Sequence, residues 1–61
     1  MEKKFSTVIN QVGSYYVAIL NCWTIDEEGQ RVPVDNKTLN NLADYPSALA
    51  AATEFYDKNK D

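Results

Sequence analysis

Carboxylates and one thiol are the groups in this sequence that could do chemistry. Nine of its 61 residues are Asp or Glu, and three of them, Asp26, Glu27 and Glu28, are consecutive. Cys22 is the single cysteine, and the sequence has no His. Without His, no imidazole can activate a Ser or Cys nucleophile, and zinc sites built from Cys and His cannot form. A pair of carboxylates, acting as general acid and base, is the common catalytic arrangement that this composition still allows.

Glycine content excludes nucleotide-binding loops. Gly13 and Gly29 are the two glycines and lie 16 positions apart, so neither G-x-G-x-x-G nor G-x-x-x-x-G-K occurs. A pocket for a small molecule encloses about 300–1,000 Å³, and a chain this short must first enclose a core. We therefore predict that the protein is not an enzyme, has no catalytic residues, and binds no cofactor or metal.

Length and charge indicate one small domain. A chain of 61 residues encloses a single core, so we assign residues 1–61 to one domain. Six Lys and Arg against nine Asp and Glu give a formal net charge of −3. No run of about 18 apolar residues occurs, and Met1–Lys4 leads into a strand-like run and not into the apolar core of a signal peptide. These features predict an acidic cytoplasmic protein without a membrane contact.

The single cysteine has a structural interpretation. Cys22 cannot form an internal disulfide, so the stability of the fold must come from its core. A reactive thiol needs a neighbouring cation, and no Lys or Arg stands beside Cys22 in the sequence. We predict that Cys22 is a small buried hydrophobic residue.

The first half of the chain has the composition of strands. Phe5–Asn10 is rich in β-branched and aromatic residues, and Gly13-Ser14 has the glycine that a type II′ hairpin needs at its first position. Tyr15–Ile25 is the longest strand-like run and is apolar on both faces at its middle. It is therefore predicted to be a central strand with a helix over one face.

The middle of the chain is harder to assign. Asp26–Gly29 is predicted to be a second hairpin loop, followed by a short strand over Gln30–Val34. Pro33 cannot donate to a ladder, so this strand belongs at an edge of the sheet. Asp35–Lys37 is predicted to be a turn. Residues 38–43 fit either a short helix, because Leu39 and Leu42 have helical spacing, or the end of a strand.

A helix is predicted from Ala48 to about Lys58, where the chain is rich in alanine. Its N-cap is either Ser47 or, with Pro46 in the first turn, Asp44. The apolar residues form a stripe at helical spacing, which comprises Ala48, Leu49, Ala52, Phe55 and Tyr56. The fold class is thus α+β, with a three-stranded antiparallel sheet packed by one C-terminal helix.

Short groups of residues along the chain follow an order that is found in a known family. They are Phe5–Val8, Gly13–Ile19, Gly29, Tyr45–Ser47, Ala50-Ala51 and Tyr56-Asp57. This order resembles the AP2 domain of DNA-binding proteins and the arm-binding domains of phage and transposon integrases. The resemblance implies three strands and a helix, with the sheet in the major groove and basic or aromatic strand residues on bases and phosphates.

The sequence departs from that pattern in its charges. Ser6 stands where the AP2 pattern has Arg, Tyr15–Ile25 contains no Lys or Arg, and Arg31 is the one cation predicted on the sheet beyond the first hairpin. Affinity for duplex DNA comes largely from several neutralised phosphates. Nucleic-acid binding, through Lys3, Lys4 and Arg31, is therefore the alternative function and not the leading one.

Aromatic strand residues are the best candidates for binding a partner. Tyr15, Tyr16 and Trp23 either pack in the core or form an exposed patch, since Trp and Tyr are frequent hot spots of binding. One helix covers one face of a sheet, so one side of Tyr15–Ile25 is left for water or a second chain. The uncovered residues are either those at odd positions of this strand or those at even positions, and the sequence does not choose between the two sets.

The acidic run lies next to this strand. Asp26, Glu27 and Glu28 form either a solvated hairpin tip or an acidic contact for a basic partner. With Arg31 they complete the predicted partner-binding set. The leading hypothesis is a small cytoplasmic interaction module, an accessory, regulatory or inhibitory protein that binds another protein. Its small size, acidity and lack of catalytic groups suit a phage product. A homodimer, through the uncovered face or the edge near Pro33, is a compatible third hypothesis.

Overall fold

The computed structural model describes residues 2–60, which form one sheet and one helix. The strands are β1 (Lys4–Val12), β2 (Tyr15–Ile25) and β3 (Arg31–Leu42), and the helix is α1 (Tyr45–Asn59). The sheet is antiparallel in the order β1-β2-β3. The α+β prediction of a three-stranded antiparallel sheet with one C-terminal helix is confirmed. Within the described residues, no helix has the length and apolar character needed to cross a membrane.

Both hairpins form where their glycines predict them. Gly13 has φ 62° and lies between Val12 and Tyr15, which face each other across β1 and β2. In the second hairpin, Gly29 has φ 80°, and its N–H donates to the carbonyl of Asp26 at 3.1 Å. A tight turn followed by a left-handed glycine is a common three-residue hairpin loop, and its twist suits the flanking strands.

The third strand is longer than its sequence indicates. The predicted turn at Asp35–Lys37 is wrong, because these residues pair in register with Cys22, Asn21 and Leu20 of β2. The helix considered for residues 38–43 is wrong as well, and the alternative, a strand, is correct as far as Leu42. The long central strand pairs with this segment in register, and this tertiary pairing outweighs the local preference of Asp and Asn for turns.

β3 contains two β-bulges, at Val34 and near Asn41, and the second explains the spacing of its leucines. The register shifts by one residue between Tyr16 and Ala18 of β2, so that Leu42 and Leu39, three positions apart, both face α1. Asn41 absorbs the extra residue with φ 61°. A regular strand would direct Leu39 and Leu42 to opposite faces, so a spacing of three in this strand requires the bulge.

The helix begins at Tyr45, three positions before the predicted Ala48, and ends at Asn59. Its N-cap is Asp44, so the Ser47 alternative is wrong and the Asp44 alternative is confirmed. Between helix and sheet lies a small core, which consists of Ala18, Leu20, Cys22, Ala48 and Phe55. The predicted burial of Cys22 is thereby confirmed. The alanine at the start of the helical stripe lets the backbone of α1 approach the sheet closely.

The cap at Asp44 gives a direct test of the helix start. Its Oδ1 accepts a hydrogen bond from the N–H of Ser47 at 2.9 Å, which satisfies one of the free donors of the first turn. We expect Asp44→Ala to lower the midpoint of thermal unfolding and Asp44→Asn to lower it less, because Asn also caps helices. Circular dichroism measures both midpoints. Equal effects of the two substitutions would contradict the cap.

The end of the helix is tied to β3 through a buried amide. Nδ2 of Asn59 donates to Oδ2 of Asp35 and to the carbonyl of Phe55, each at 3.0 Å. Nζ of Lys58 lies 3.8 Å from the same carboxylate oxygen. The hydrogen bond from Asn59, helped by the charge of Lys58, lowers the pKa of Asp35 below its ordinary value.

This contact predicts a loss of stability in acid. Because the pKa of Asp35 is lower in the folded than in the unfolded chain, its contribution is present above pH 3.8, the ordinary value, and is lost as the pH falls through the folded value. We expect the fall of the unfolding midpoint between neutral pH and pH about 3 to be smaller in Asp35→Asn than in the wild type. Glu27→Gln, which removes one exposed charge, is the control and should behave as the wild type. An Asp35→Asn variant with the full acid sensitivity would contradict this assignment.

Candidate functional site

Among residues 2–60, no element covers one face of the sheet, which we call the open face. The residues of β2 at even positions, among them Ala18, Leu20 and Cys22, lie under α1, so the odd positions point to the other side. The register adds their neighbours from β1 and β3. The open face comprises Lys4, Ser6, Val8, Asn10, Val12, Tyr15, Val17, Ile19, Asn21, Trp23, Ile25, Arg31, Pro33, Asn36 and Thr38. The uncovered set is therefore the odd-numbered one.

One end of the open face, near the first hairpin, is apolar. Val8, Val12 and Tyr15 are 43, 45 and 37% exposed. Val17 and Ile19 are half-buried between them. Tyr15, Val17 and Ile19 follow one another on this face of β2, while Asn10 stands between Val8 and Val12 on β1. Contiguous exposed apolar side chains of this kind mark sites of interaction more often than isolated ones do.

The other end of the open face is polar and aromatic. The guanidinium carbon of Arg31 lies 4.4 Å from the centre of the Trp23 ring, a cation–π arrangement. Lys4 faces Trp23 across the β1–β2 pair. A hollow of about 190 Å³ opens beside them and is lined by Ser6, Asn21, Cys22, Trp23, Arg31, Pro33 and Asn36. This end offers hydrogen-bond donors, acceptors and a flat ring together.

The structure brings some of the predicted site residues together and separates others. Trp23 and Arg31 touch, while Tyr15 lies on the same face at the far end of β2, eight residues from Trp23 and so about 26 Å along the strand. Tyr16 points the other way, toward the helix, and packs against Tyr45 with ring centres 6.0 Å apart. Tyr16 therefore does not share a surface with the other two aromatic residues.

The three acidic residues have different roles in the second hairpin. Oδ1 of Asp26 accepts hydrogen bonds from the N–H groups of Glu28 and Gln30, at 2.9 and 2.8 Å. Its carboxylate is thus engaged in holding the turn. Glu27 and Glu28 are exposed at the tip of the hairpin, next to the Trp23 end of the open face. Either a solvated tip or a contact for a basic partner is compatible with this placement.

Sequence reasoning missed a polar row across the open face. Ser6, Asn21 and Asn36 face one another in neighbouring strands, one from each strand. The pairing of Ser6 with Asn21 could have been predicted, because a two-residue turn at Gly13-Ser14 sets the register of β1 against β2. The position of Asn36 could not have been predicted, because it depends on β3 continuing through Asp35–Lys37, where the sequence predicts a turn.

A second concavity lies between α1 and β3. It measures about 240 Å³ and is lined by Lys37, Leu39, Ala51, Glu54, Phe55 and Lys58. Its charged groups are of both signs, and its apolar floor belongs to the core. In the stretch from residue 2 to residue 60, no cluster of three His, Cys, Asp or Glu side chains is placed to hold a metal ion. The open face is the stronger candidate for function.

Comparison with known proteins gave no match. Neither the family models, the curated proteins nor the solved structures gave a match to the chain. The resemblance to AP2 and integrase arm-binding domains stays a prediction from the sequence.

Proposed function

We propose that this protein is a small, non-enzymatic, cytoplasmic interaction module that acts by binding another protein, in an accessory or inhibitory role of the kind found in phages. The observation that carries the proposal is the open face, on which Val8, Val12 and Tyr15 are exposed beside the half-buried Val17 and Ile19. A solvated antiparallel sheet normally presents alternating polar residues to water. The end of this face near the first hairpin instead presents mainly apolar side chains on adjacent strands.

Two parts of the open face supply different contributions to binding. The apolar end near Tyr15 supplies area that a partner removes from water, at about 25 cal/mol per Å² of apolar surface. The Trp23–Arg31 pair supplies a rigid aromatic anchor and a planar cation, the residue types most enriched at hot spots. Glu27 and Glu28 stand at the rim, where charges influence association rates more than affinity.

The test uses the intact protein as bait and then a purified pair. A protein captured by the wild type is identified and purified, and its affinity is measured by calorimetry against three variants. We expect Tyr15→Ala and Trp23→Ala each to weaken binding by about tenfold or more, as hot-spot truncations do. Tyr45→Ala, an exposed tyrosine on the helix side, is the matched control and should bind as the wild type.

Stability has to be followed in the same samples. Trp23 is partly buried, so Trp23→Ala counts as evidence when circular dichroism shows a folded variant. If both open-face variants are folded and bind as tightly as Tyr45→Ala does, the open face is not the binding surface. The proposal then fails.

Nucleic-acid binding is the second candidate, and one specific observation favours it. Among strand residues 4–42, the charged side chains on the open face are Lys4 and Arg31, both cations, beside Trp23. The amides of Asn21 and Asn36 lie next to them, and such groups hydrogen-bond to base edges. Two cations are few for duplex DNA, where phosphate contacts supply much of the affinity. Protein binding is therefore preferred.

A salt titration separates the two functions. Anisotropy of labelled mixed-sequence duplex DNA is measured at low and moderate salt with the wild type, Lys4→Ala and Arg31→Ala. Nucleic-acid binding requires affinity at low salt, a steep loss as salt rises, and a shallower slope in each variant. Absence of binding at low salt would end this candidate.

A further inference from the structure

The two edges of the sheet are protected to different degrees. The β3 edge carries Pro33 and two bulges, at Val34 and around Asn41, together with Lys37. β1 pairs with β2 in unbroken register from Lys4 to Val12. From residue 5 to residue 12 it contains no charge, proline or glycine. Proline, bulges and charge are the usual means of preventing edge-to-edge pairing, and β1 has none of them over eight residues.

The free hydrogen-bonding groups of β1 are fixed by the first hairpin. In a two-residue hairpin the closing pair, here Val12 and Tyr15, exchanges both backbone hydrogen bonds, and such pairs alternate along the ladder. The N–H and C=O groups that point to the outer edge therefore belong to Phe5, Thr7, Ile9 and Gln11. These groups form a complete template for another antiparallel strand.

The helix adds an apolar flank above the same edge. Tyr56 packs on Phe5 of β1 with ring centres 4.8 Å apart, so this side of α1 lies over β1. Leu49 stands two turns earlier on the same side of the helix. Leu49 and Tyr56 are 46 and 50% exposed. The opposite flank, over β3, carries the charged Glu54 and Lys58.

We propose that two copies of this chain associate through β1, pairing antiparallel to form one six-stranded sheet. With the two-fold axis at Val8, Thr7 faces Ile9 of the second copy, and Lys4 faces Val12. No like charges meet in this register. The axis is normal to the sheet, so both helices lie on one side of it. The two β2 strands are then about 14 Å apart, three strand spacings, and Leu49 and Tyr56 of both copies fill the space between the helices.

The dimensions of the chain support a second copy. Its radius of gyration is 12.9 Å, against roughly 10.5 Å for a compact domain of this length. Its accessible surface is 4,397 Å², against about 4,000 Å² for a monomer of its mass. Leu20 and Cys22 are the largest fully buried side chains among the described residues. A small chain without a disulfide gains from burying more surface in an oligomer.

This inference is independent of the proposed function. Pairing at β1 leaves the open face uncovered and makes it continuous over six strands. A foreign partner would then meet a symmetric surface. The sequence analysis considered the uncovered face and the edge near Pro33 for a homodimer, whereas this inference uses the opposite edge, β1.

Light scattering and amide exchange test the dimer in the full-length protein. We expect twice the chain mass over a wide dilution range, and concentration-dependent protection of the N–H groups of Thr7 and Ile9. Thr7→Pro removes an outward N–H and no bond to β2, so it should give a folded monomer. Leu49→Lys should do the same from the helix flank. Val34→Lys, 44% exposed at the β3 edge, is the matched control and should stay dimeric.

Each other outcome overturns the inference. A wild type that is monomeric at every concentration contradicts it, as does a dimer that survives in folded Thr7→Pro and Leu49→Lys. If Thr7→Pro does not fold, the molar mass of folded Leu49→Lys decides: a monomer supports the dimer through β1, and a dimer contradicts it. A dimer with fully exchanging amides at Thr7 and Ile9 is held by another surface. Because calorimetry with a foreign partner is a separate measurement, failure here leaves the proposed function standing, and the reverse is also true.

Discussion

Leu20→Ala is expected to lower the free energy of unfolding by about 2–5 kcal/mol, the range for large-to-small changes in a packed core. Leu20 has no exposed surface and lies at the middle of the core between β2 and α1, beside Phe55. Domains are stabilised by about 0.05–0.15 kcal/mol per residue, hence by about 3–9 kcal/mol at this length. We therefore expect the variant to lose a large fraction of the stability of the domain. Urea titration followed by circular dichroism measures the loss.

The neighbouring residue supplies the control. Ile19 stands next to Leu20 in β2 but on the open face, and it is half-buried. Removing it leaves no closed cavity, so Ile19→Ala should cost markedly less than Leu20→Ala. Both are measured at one protein concentration, because association shifts apparent stability. Equal losses would mean that the open face is covered in solution, in conflict with the exposure on which the proposed function depends.

Asn41→Val is expected to destabilise the protein by about 2 kcal/mol, because a β-branched residue is strongly disfavoured in the left-handed region. Asn41 has φ 61° and is exposed, so the substitution removes no buried contact. Asn41→Gly should be neutral or slightly stabilising, since glycine adopts this conformation without strain. The difference between the two variants, measured by urea unfolding, isolates the backbone conformation from the side chain.

This comparison tests the bulge on which the β3 assignment depends. Without it, Leu39 and Leu42 could not both face the helix. If Asn41→Val is as stable as Asn41→Gly, the bulge is absent in solution or has moved to another residue. One of the two leucines would then point away from the core.

Local residue chemistry determined much of the fold. β-branched and aromatic residues identified β1 and β2, Gly13 and Gly29 located the hairpins, and the alanines around Ala48 identified the helix. These features act over a few residues, through side-chain sterics and positive φ, and so the sequence is sufficient to find them. The same holds for the exclusion of imidazole chemistry, which is a matter of composition.

Tertiary structure alone decided the length of β3 and the helix start. Asp35–Lys37 has the composition of a turn, yet these residues extend the ladder with β2, and Asp35 accepts a hydrogen bond from Asn59 of the helix. Asp44 and Ser47 are both good N-caps, and the choice of Asp44 places Ala48 against the sheet. In each case two local solutions are close in energy, and long-range packing selects between them.

For the candidate site, too, some features follow from the sequence and others only from the tertiary structure. The sequence by itself determined that one face of the sheet must lie open, because a single helix covers a single face, and it named Tyr15, Trp23 and Arg31 as candidates. Only the tertiary structure decided that the odd-numbered face is the open one, that Tyr16 belongs to the other side, and that Asn36 joins Ser6 and Asn21. Both faces of β2 are apolar, so alternation cannot tell them apart. The helix covers the side on which Leu39 and Leu42 lie together, because the bulge near Asn41 brings Leu42 to the face of Leu39. Asp35 is on the same side and accepts the hydrogen bond from Asn59.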